Sequence, residues 1–249
     1  MKYLIPLIFA SGLAAGNALA EDNEVDHTGN LMLSAEIGAI TTSGNTAGTS
    51  VTGRFEVLHD TLRWSNEYTG NGYFKEDRAR VNGEETRQRS AERYQFGAKA
   101  GYKLLEENST LFVLGAFSED RFGAYTRSAS VGVGHGFRVY QSDNKTLDME
   151  AGPGFFKATR ANGEEDRGLV LRGRAAFRWK LSDSATFAQM LTVERASWNT
   201  HSTSETSLSA RINGSMHMKA AFSAINDSTV PIDKQNTDTQ TSVTLVYSF

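Results

Sequence analysis

The residues best equipped for chemistry in this sequence are its histidines, its hydroxyls and its clustered cations. His135 sits among apolar alternate positions, with Ser128 and Ser130 nearby in the same segment. A serine hydrolase built on the outer wall of a barrel is therefore one reading. It requires a histidine, a hydroxyl and an acid converging at about 2.6–3.2 Å. No nucleophile elbow or metal-ligand spacing accompanies His135, and His27, His59, His201 and His217 fall near termini, turns or loops. A lone histidine of this kind is more often a packing residue, so no catalytic, cofactor-binding or metal site is expected and the chain is read as a non-enzyme. The run Gly132, Gly134, Gly136 fails as a phosphate cradle, because such a cradle needs a strand-to-helix turn and no helix follows. Close strand coiling, or space inside a lumen, is the expected use of those glycines.

The cations are more ordered. Leu169, Leu171, Gly173, Ala175, Phe177, Trp179 and Leu181 alternate with a series that includes Arg172, Arg174, Arg178 and Lys180. Projecting every such segment gives a polar wall. Its candidates are Arg54, Arg63, Arg93, Lys99, Arg138, Glu150, Arg172, Arg174, Arg178, Lys180 and Arg211, with Glu36, Glu56, Glu67, Lys103, Asp148, Glu194 and Lys219 on the same face. Two uses of that wall stay open. A narrow channel would favour small anionic solutes through the field of its arginines. Alternatively, opposite charges pair across strands and close the interior.

The elements that position these residues follow from hydropathy of period two, from residue 29 onward, in segments of about ten residues or more. Counting them gives an all-β, antiparallel, up-and-down transmembrane barrel of about twelve strands, an even number that returns both termini to one side. Short turns are expected near His59-Asp60, Glu106-Glu107-Asn108, Ser142-Asp143-Asn144, Ser182-Asp183-Ser184 and Asn213-Gly214. Longer polar loops are expected over 75–90, 118–127, 159–167, 198–205 and 226–238, with a tight hairpin at Ser43-Gly44-Asn45. The segment 110–118 is apolar on both faces, and Leu111, Val113, Gly115 and Phe117 are assigned outward. Gly152-Pro153-Gly154 is expected to mark a bulge or bend, because proline removes a ladder hydrogen bond.

Alternation alone does not say whether the apolar face meets lipid or a soluble core. A barrel of about twelve strands has an interior wider than side chains are expected to fill, and no helical plug is available. A two-sheet soluble sandwich is the surviving alternative. With lipid outside, a one-residue slip would turn Arg172, Arg174, Arg178 and Lys180 toward hydrocarbon at up to roughly 2–4 kcal/mol each, so register is tightly specified. Trp64, Phe74, Tyr102, Phe117, Trp179, Trp198 and Tyr247 stand at segment ends, as interfacial girdle residues would.

Composition agrees. Lys2, the apolar run from Tyr3 to Leu13 and Ala18-Leu19-Ala20 form a signal peptide over residues 1–20, leaving 21–249 as one outer-membrane β-barrel domain. The mature chain would carry 25 basic and 29 acidic side chains, a net charge of −4, which does not suggest a nucleic-acid binder. There is no cysteine, which excludes disulfides and a lipidated N-terminus. Mean hydropathy is −0.41, too polar for a helical membrane protein but ordinary for a strand barrel, whose alternation averages out.

Several segments resemble the YdiY-like family of salt-induced outer-membrane proteins. They are Gly38-Ala39-Ile40-Thr41-Thr42-Ser43-Gly44-Asn45-Thr46, Ser90-Ala91-Glu92-Arg93-Tyr94 and Asp120-Arg121-Phe122-Gly123-Ala124-Tyr125. Gly132-Val133-Gly134-His135-Gly136, Gly152-Pro153-Gly154, Asp238 and Val246-Tyr247-Ser248-Phe249 add to them. The resemblance implies an outer-membrane barrel and carries over no catalytic residue. Phe249, with Tyr247 and Leu245 on its face, resembles the terminal signal by which bacterial outer-membrane barrels are handed to the assembly machinery. The expectation is a monomer in the outer membrane of a Gram-negative bacterium, both termini periplasmic, whose partners are lipid, the assembly machinery and small anionic solutes.

Overall fold

The computed structural model describes residues 29–43, 48–81, 84–104, 108–122, 125–197, 199–229 and 235–248, with backbone alone at 39–43, 48–49, 76–81, 84–88 and 90. The signal segment, Trp198, Pro231, Phe249 and the turn residues Gly44, Asn45, Glu106 and Glu107 lie outside the described residues.

Twelve strands account for nearly everything described. In chain order they are β1 Asn30–Ser43, β2 Gly48–Asp60, β3 Trp64–Val81, β4 Glu84–Lys103, β5 Ser109–Asp120 and β6 Tyr125–Gln141. They continue as β7 Lys145–Arg160, β8 Glu165–Ser182, β9 Ala185–Arg195, β10 Thr200–Arg211, β11 Met216–Asp227 and β12 Thr237–Ser248. Each pairs antiparallel with its sequence neighbours, and β1 also pairs with β12, so the sheet closes on itself. Ala35 marks the seam: it faces Phe55 on one side and Tyr247 on the other. A single closed sheet removes the sandwich alternative, and closure leaves no unpaired edge.

Alternation fixes which way each side chain points. On β8, Leu169 and Leu171 are 76% and 61% exposed while Val170 between them is 4% exposed. The ambiguous segment resolves as Leu111, Val113 and Phe117 outward against buried Phe112 and Leu114. Exposed Ile37, Val51, Phe96, Val131, Leu208 and Val243 continue the outward belt around the wall. An apolar surface encircling the molecule is untenable in water, where soluble monomers expose only a few hundred Å² of contiguous apolar patch. Aromatic rings border it. Trp64 meets Tyr102 edge-on at 5.2 Å near the terminal end, where Lys145 Nζ also lies 4.6 Å from the Trp179 ring. Phe74 meets Tyr94 at 5.6 Å toward the loop end. These rings occupy girdle positions, half apolar and half wet.

Several expectations change. The expected loops 118–127 and 159–167 are more than half strand, since β5 runs to Asp120, β6 starts at Tyr125, β7 runs to Arg160 and β8 starts at Glu165. The segment 75–90 is mostly strand, since β3 runs to Val81 and β4 starts at Glu84, with Arg80 opposite Glu85 and a register shift between Lys75 and Glu76. Its polar residues concealed a hairpin, because ladder hydrogen bonds form as readily beyond lipid as within it. The segment 198–205 is likewise mostly β10, entered through a tight turn in which Ala196 N donates to Asn199 O at 2.9 Å. Finally, Pro153 sits in no bulge. Pairing of β6 with β7 runs from Gly132–Gly154 to His135–Ala151, skipping two positions without a change of register. The proline interrupts the ladder there, and the two strands pack closely beside it: a Cβ on Gly152 would lie 2.0 Å from Val133 O. The register shifts involving β6–β9 fall at Tyr125/Arg127, Arg138/Tyr140 and Lys180/Ser182.

Candidate functional site

Inward positions on β4, β7, β8 and β9 bring together a layer of charge. Lys99 Nζ contacts Glu150 Oε1, Arg174 Nη1 donates to the same oxygen at 3.1 Å, and Arg172 Nη1 lies 3.5 Å from Glu150 Oε2. Arg172 Nε then reaches Glu194 Oε1 at 3.3 Å. The Lys99–Glu150 contact spans β5 and β6, and the glycines make this possible. A Cβ at Gly134 would stand 2.5 Å from the Phe112 ring, and one at Gly136 would stand 3.4 Å from Glu150 Cγ. With no side chains there, Phe112 lies over β6, and Lys99 Nζ sits 4.9 Å from its ring. Glycine thus supplies lumen space, one of the two uses expected of it.

A second group faces this layer. Lys219 Nζ lies 3.6 Å from Glu36 Oε1 and 3.5 Å from Glu205 Oε1, and Arg54 Nη2 lies 4.0 Å from Glu56 Oε2. Arg93 pairs with Asp120 at 2.7 Å, and Arg138 Nε with Asp148 Oδ1 at 2.7 Å.

Burial distinguishes this interior from a wide aqueous lumen. The side chains of Glu194, Glu150, Arg174 and Arg172 are 1%, 10%, 10% and 11% exposed. The expectation that a twelve-strand interior is too wide to fill therefore fails at mid-height, because long Arg, Lys, Glu, Met and Phe side chains reach inward and meet. Satisfaction is incomplete: Glu150 Oε2, both Glu194 oxygens and Glu56 Oε1 are buried without a hydrogen bond. Ion pairs that lack full hydrogen bonding in a partly dry interior seldom add net stability, so this layer is not explained by folding energy alone.

On the terminal side of the layer lies a cavity of about 90 Å³, walled by Glu56, Asp148, Arg178, Met190, Glu205 and His217 among others. Arg178 forms no ion pair among the described residues, and His217 Nε2 is buried without a partner. At the opposite end, Asn199 Nδ2 donates to Asp227 Oδ1 at 2.7 Å while Asn199 Oδ1 accepts from Ser228 Oγ at 3.0 Å and Thr229 N at 3.1 Å. That network ties the β9–β10 turn to the chain after β11.

Of the eleven candidates, Lys99, Glu150, Arg172 and Arg174 converge, Arg54, Arg93 and Arg138 are in separate pairs, and Arg178 lines the cavity. Arg63 lies in the turn before β3, and Lys180 and Arg211 are exposed at the terminal rim, outside the buried layer. Glu205, Asp120 and Asp227 are not among the expected wall residues, because all three fall in segments expected as loops, 198–205, 118–127 and 226–238, whereas the structure places them in β10, β5 and β11.

Hydrolase chemistry has two places to be tested. His135 Nε2 lies 2.5 Å from Ser109 Oγ rather than near Ser128 or Ser130, and its ring stacks on Phe137 at 5.8 Å with no acid among its described contacts. His201 does meet an acid and a hydroxyl, Nδ1 at 3.0 Å from Asp227 Oδ1 and Nε2 at 3.3 Å from Thr203 Oγ1. All three are more than nine-tenths buried in the wall, where no substrate reaches the hydroxyl. Among the described residues no group of His, Asp and Glu is arranged to hold a metal.

Residues 35–249 match the family described as DUF481, protein of unknown function. The chain belongs to the DUF481 family. It is 26% identical over 213 residues to the uncharacterized protein YdiY of Escherichia coli (strain K12), covering 85% of this chain and 80% of that one, in agreement with the resemblance read from its segments. Among solved structures the DUF481 chain is similar to the NanC porin, with TM-score 0.58 and 10% identity over 86% of this chain and 98% of that one. It is also similar to an outer-membrane channel from Pseudomonas putida F1, with TM-score 0.57 and 10% identity over 88% and 95%. At such identities the likeness concerns fold: this is an outer-membrane-type β-barrel.

Proposed function

We propose that this DUF481 barrel resides in the outer membrane of a Gram-negative bacterium as a monomer with both termini periplasmic, and that it is a non-conducting envelope component, not an enzyme. The observation that carries this is the burial of the Glu150 layer: side chains lining a water-filled pore would be wet, and these are 1–15% exposed. The belt of outward Leu, Val, Ile and Phe supports the membrane location. At the end opposite the termini β3 and β4 extend to Val81 and Glu84 and the connection 228–236 is the longest between strands, and these support the orientation, since barrels of this type keep short turns periplasmic. Planar-bilayer recording of purified protein tests the proposal. Insertion without discrete current steps is expected, and a sustained ohmic conductance would overturn it.

One observation favours a second reading, a narrow channel for small anionic solutes. Three cations, Lys99, Arg172 and Arg174, surround one carboxylate, and Arg178 below them has no ion pair among the described residues. An opened lumen would present an anion-attracting wall. That reading requires an anion-selective reversal potential in a salt gradient, diminished by Arg174→Glu and Arg178→Glu. Current insensitive to both substitutions removes it.

A further inference from the structure

The outer wall has a regularity that neither reading uses. Following each of β6, β7, β8 and β9 outward to the loop end, the last apolar outward residue is succeeded, at the next outward position, by a base. Ala129 gives way to Arg127, Phe155 to Lys157, Leu169 to Arg167 and Val193 to Arg195. All four bases are exposed. The four strands are consecutive in the barrel, so the bases lie on one side of it at the loop end, with Lys157 opposite Arg167 and Arg195 two outward positions nearer the belt than Arg167 in the β8–β9 register.

The corresponding step is acidic on β4 and β5, from Tyr94 to Glu92 and Phe117 to Glu119, and polar on β12, from Val243 to Thr241. At the terminal end of the same four strands the outward rim offers one cation, Lys145, which lies over the Trp179 ring. The cationic stretch is therefore confined to one end and one side.

Its local pairing leaves it under-neutralised. Lys157 stands directly opposite Arg167 in the β7–β8 ladder, a like-charge juxtaposition that is unfavourable without a counter-anion. Lys157 Nζ contacts Glu165 Oε1 at 2.8 Å, and Glu119 is the register partner of Arg127, yet Arg127, Arg167 and Arg195 form no ion pair among the described residues. A position one step beyond the lipid-facing band is at headgroup height. There a planar guanidinium fork matches the paired oxygens of a phosphate.

We propose that Arg127, Lys157, Arg167 and Arg195 form a binding surface for the phosphate groups of a phosphorylated lipid headgroup in the leaflet at the loop end. The proposal rests on the membrane reading above and is independent of whether the lumen conducts. The apolar belt below holds the acyl chains of the same lipid, while the four bases select its charge.

Native mass spectrometry of the purified mature chain, titrated with a bisphosphorylated lipid A and with its dephosphorylated form, tests this. Wild-type protein retains the phosphorylated lipid at least tenfold better than the dephosphorylated one. The variant R127Q/K157Q/R167Q/R195Q loses that preference, and R63Q/K145Q/K180Q/R211Q, which removes as many cations from the opposite rim, keeps it. Millimolar inorganic phosphate leaves the bound lipid in place. Equal retention of both lipids by the wild type, an unchanged preference in the loop-end variant, or displacement by inorganic phosphate each overturns the proposal. Comparing lipids on the wild type needs no variant to fold. Vesicle insertion is scored separately by protease protection, and failure to insert overturns the membrane reading and this inference with it.

Discussion

Glu150 stands directly opposite Arg174 in the β7–β8 ladder, and Arg174 Nη1 donates to its Oε1 at 3.1 Å. The same carboxylate is shared with Lys99 and Arg172, so it holds three cations that would otherwise repel one another. Removing one member of a buried pair leaves an uncompensated charge, which costs about 3–5 kcal/mol. Glu150→Ala should therefore lower the free energy of unfolding, measured with urea in lipid vesicles, by that order. The double change Glu150→Met with Arg174→Met should recover part of the loss, because it removes charge of both signs. Equal stability of Glu150→Ala and wild type would mean that water reaches these cations freely, contrary to the burial seen here.

The lipid-facing assignment yields a test by magnitude. Val133 is 53% exposed and outward in the middle of β6, opposite Val113. In a soluble protein an exposed position of this kind tolerates substitution within about 0.5 kcal/mol. Facing hydrocarbon, an arginine near the midplane costs roughly 2–4 kcal/mol. Val133→Arg, measured by reversible urea unfolding in vesicles, should fall in the larger range, while Arg63→Leu at the wet terminal rim should fall in the smaller one. A small effect for Val133→Arg would place the apolar belt in water.

Much of this architecture is legible in the sequence because one physical rule, strict alternation against lipid, acts at every strand. Leu169–Leu181 and Leu111–Phe117 declare their faces directly. Alternation says nothing once lipid ends, and there the boundaries slipped: Glu84–Arg89 and Thr200–Glu205 are strand although their polarity suggests loop. Period two puts the wall charges on one face of each strand, but whether they meet depends on reach. Lys99 touches Glu150 across two intervening strands only because β6 presents glycine inward, and nothing local to either residue announces that. Pro153 is legible in part: its lost donor interrupts the β6–β7 ladder over two positions, but the register carries through without a bulge.

The close approach of β6 and β7 beside Pro153 can be probed. A Cβ at Gly152 would lie 2.0 Å from Val133 O and 2.5 Å from Gly134 Cα, both backbone atoms that cannot swing aside. Gly152→Ala should cost about 1–3 kcal/mol through forced backbone movement. Gly53 offers the control, since nothing lies within 4 Å of its Cβ position, and Gly53→Ala should be neutral or slightly stabilising. Unfolding midpoints of the two variants measured side by side should separate. Coincident midpoints would argue against the close β6–β7 approach.

The loop end carries a titration of known sign. Tyr125 lies beyond the outward apolar band, is buried against Phe156 and Ala158, and donates its hydroxyl to Asp166, which also accepts from Arg160 Nε at 2.7 Å. Burial first, and the hydrogen bond to the Asp166 carboxylate second, raise its phenol well above the ordinary value of 10.0. A raised pKa means that the folded state favours the neutral phenol. Its contribution to stability is thus fully present below about pH 10 and is lost as pH rises through the elevated folded value. Absorbance titration of phenolate should show a late step in the folded protein that is missing in Tyr125→Phe and shifted to lower pH in Asp166→Asn. Alkaline unfolding should begin at lower pH in Asp166→Asn than in wild type. A Tyr125→Phe variant whose titration loses only an ordinary step near pH 10 would show that this phenol is solvated, and that the Tyr125–Asp166 contact does not persist in solution.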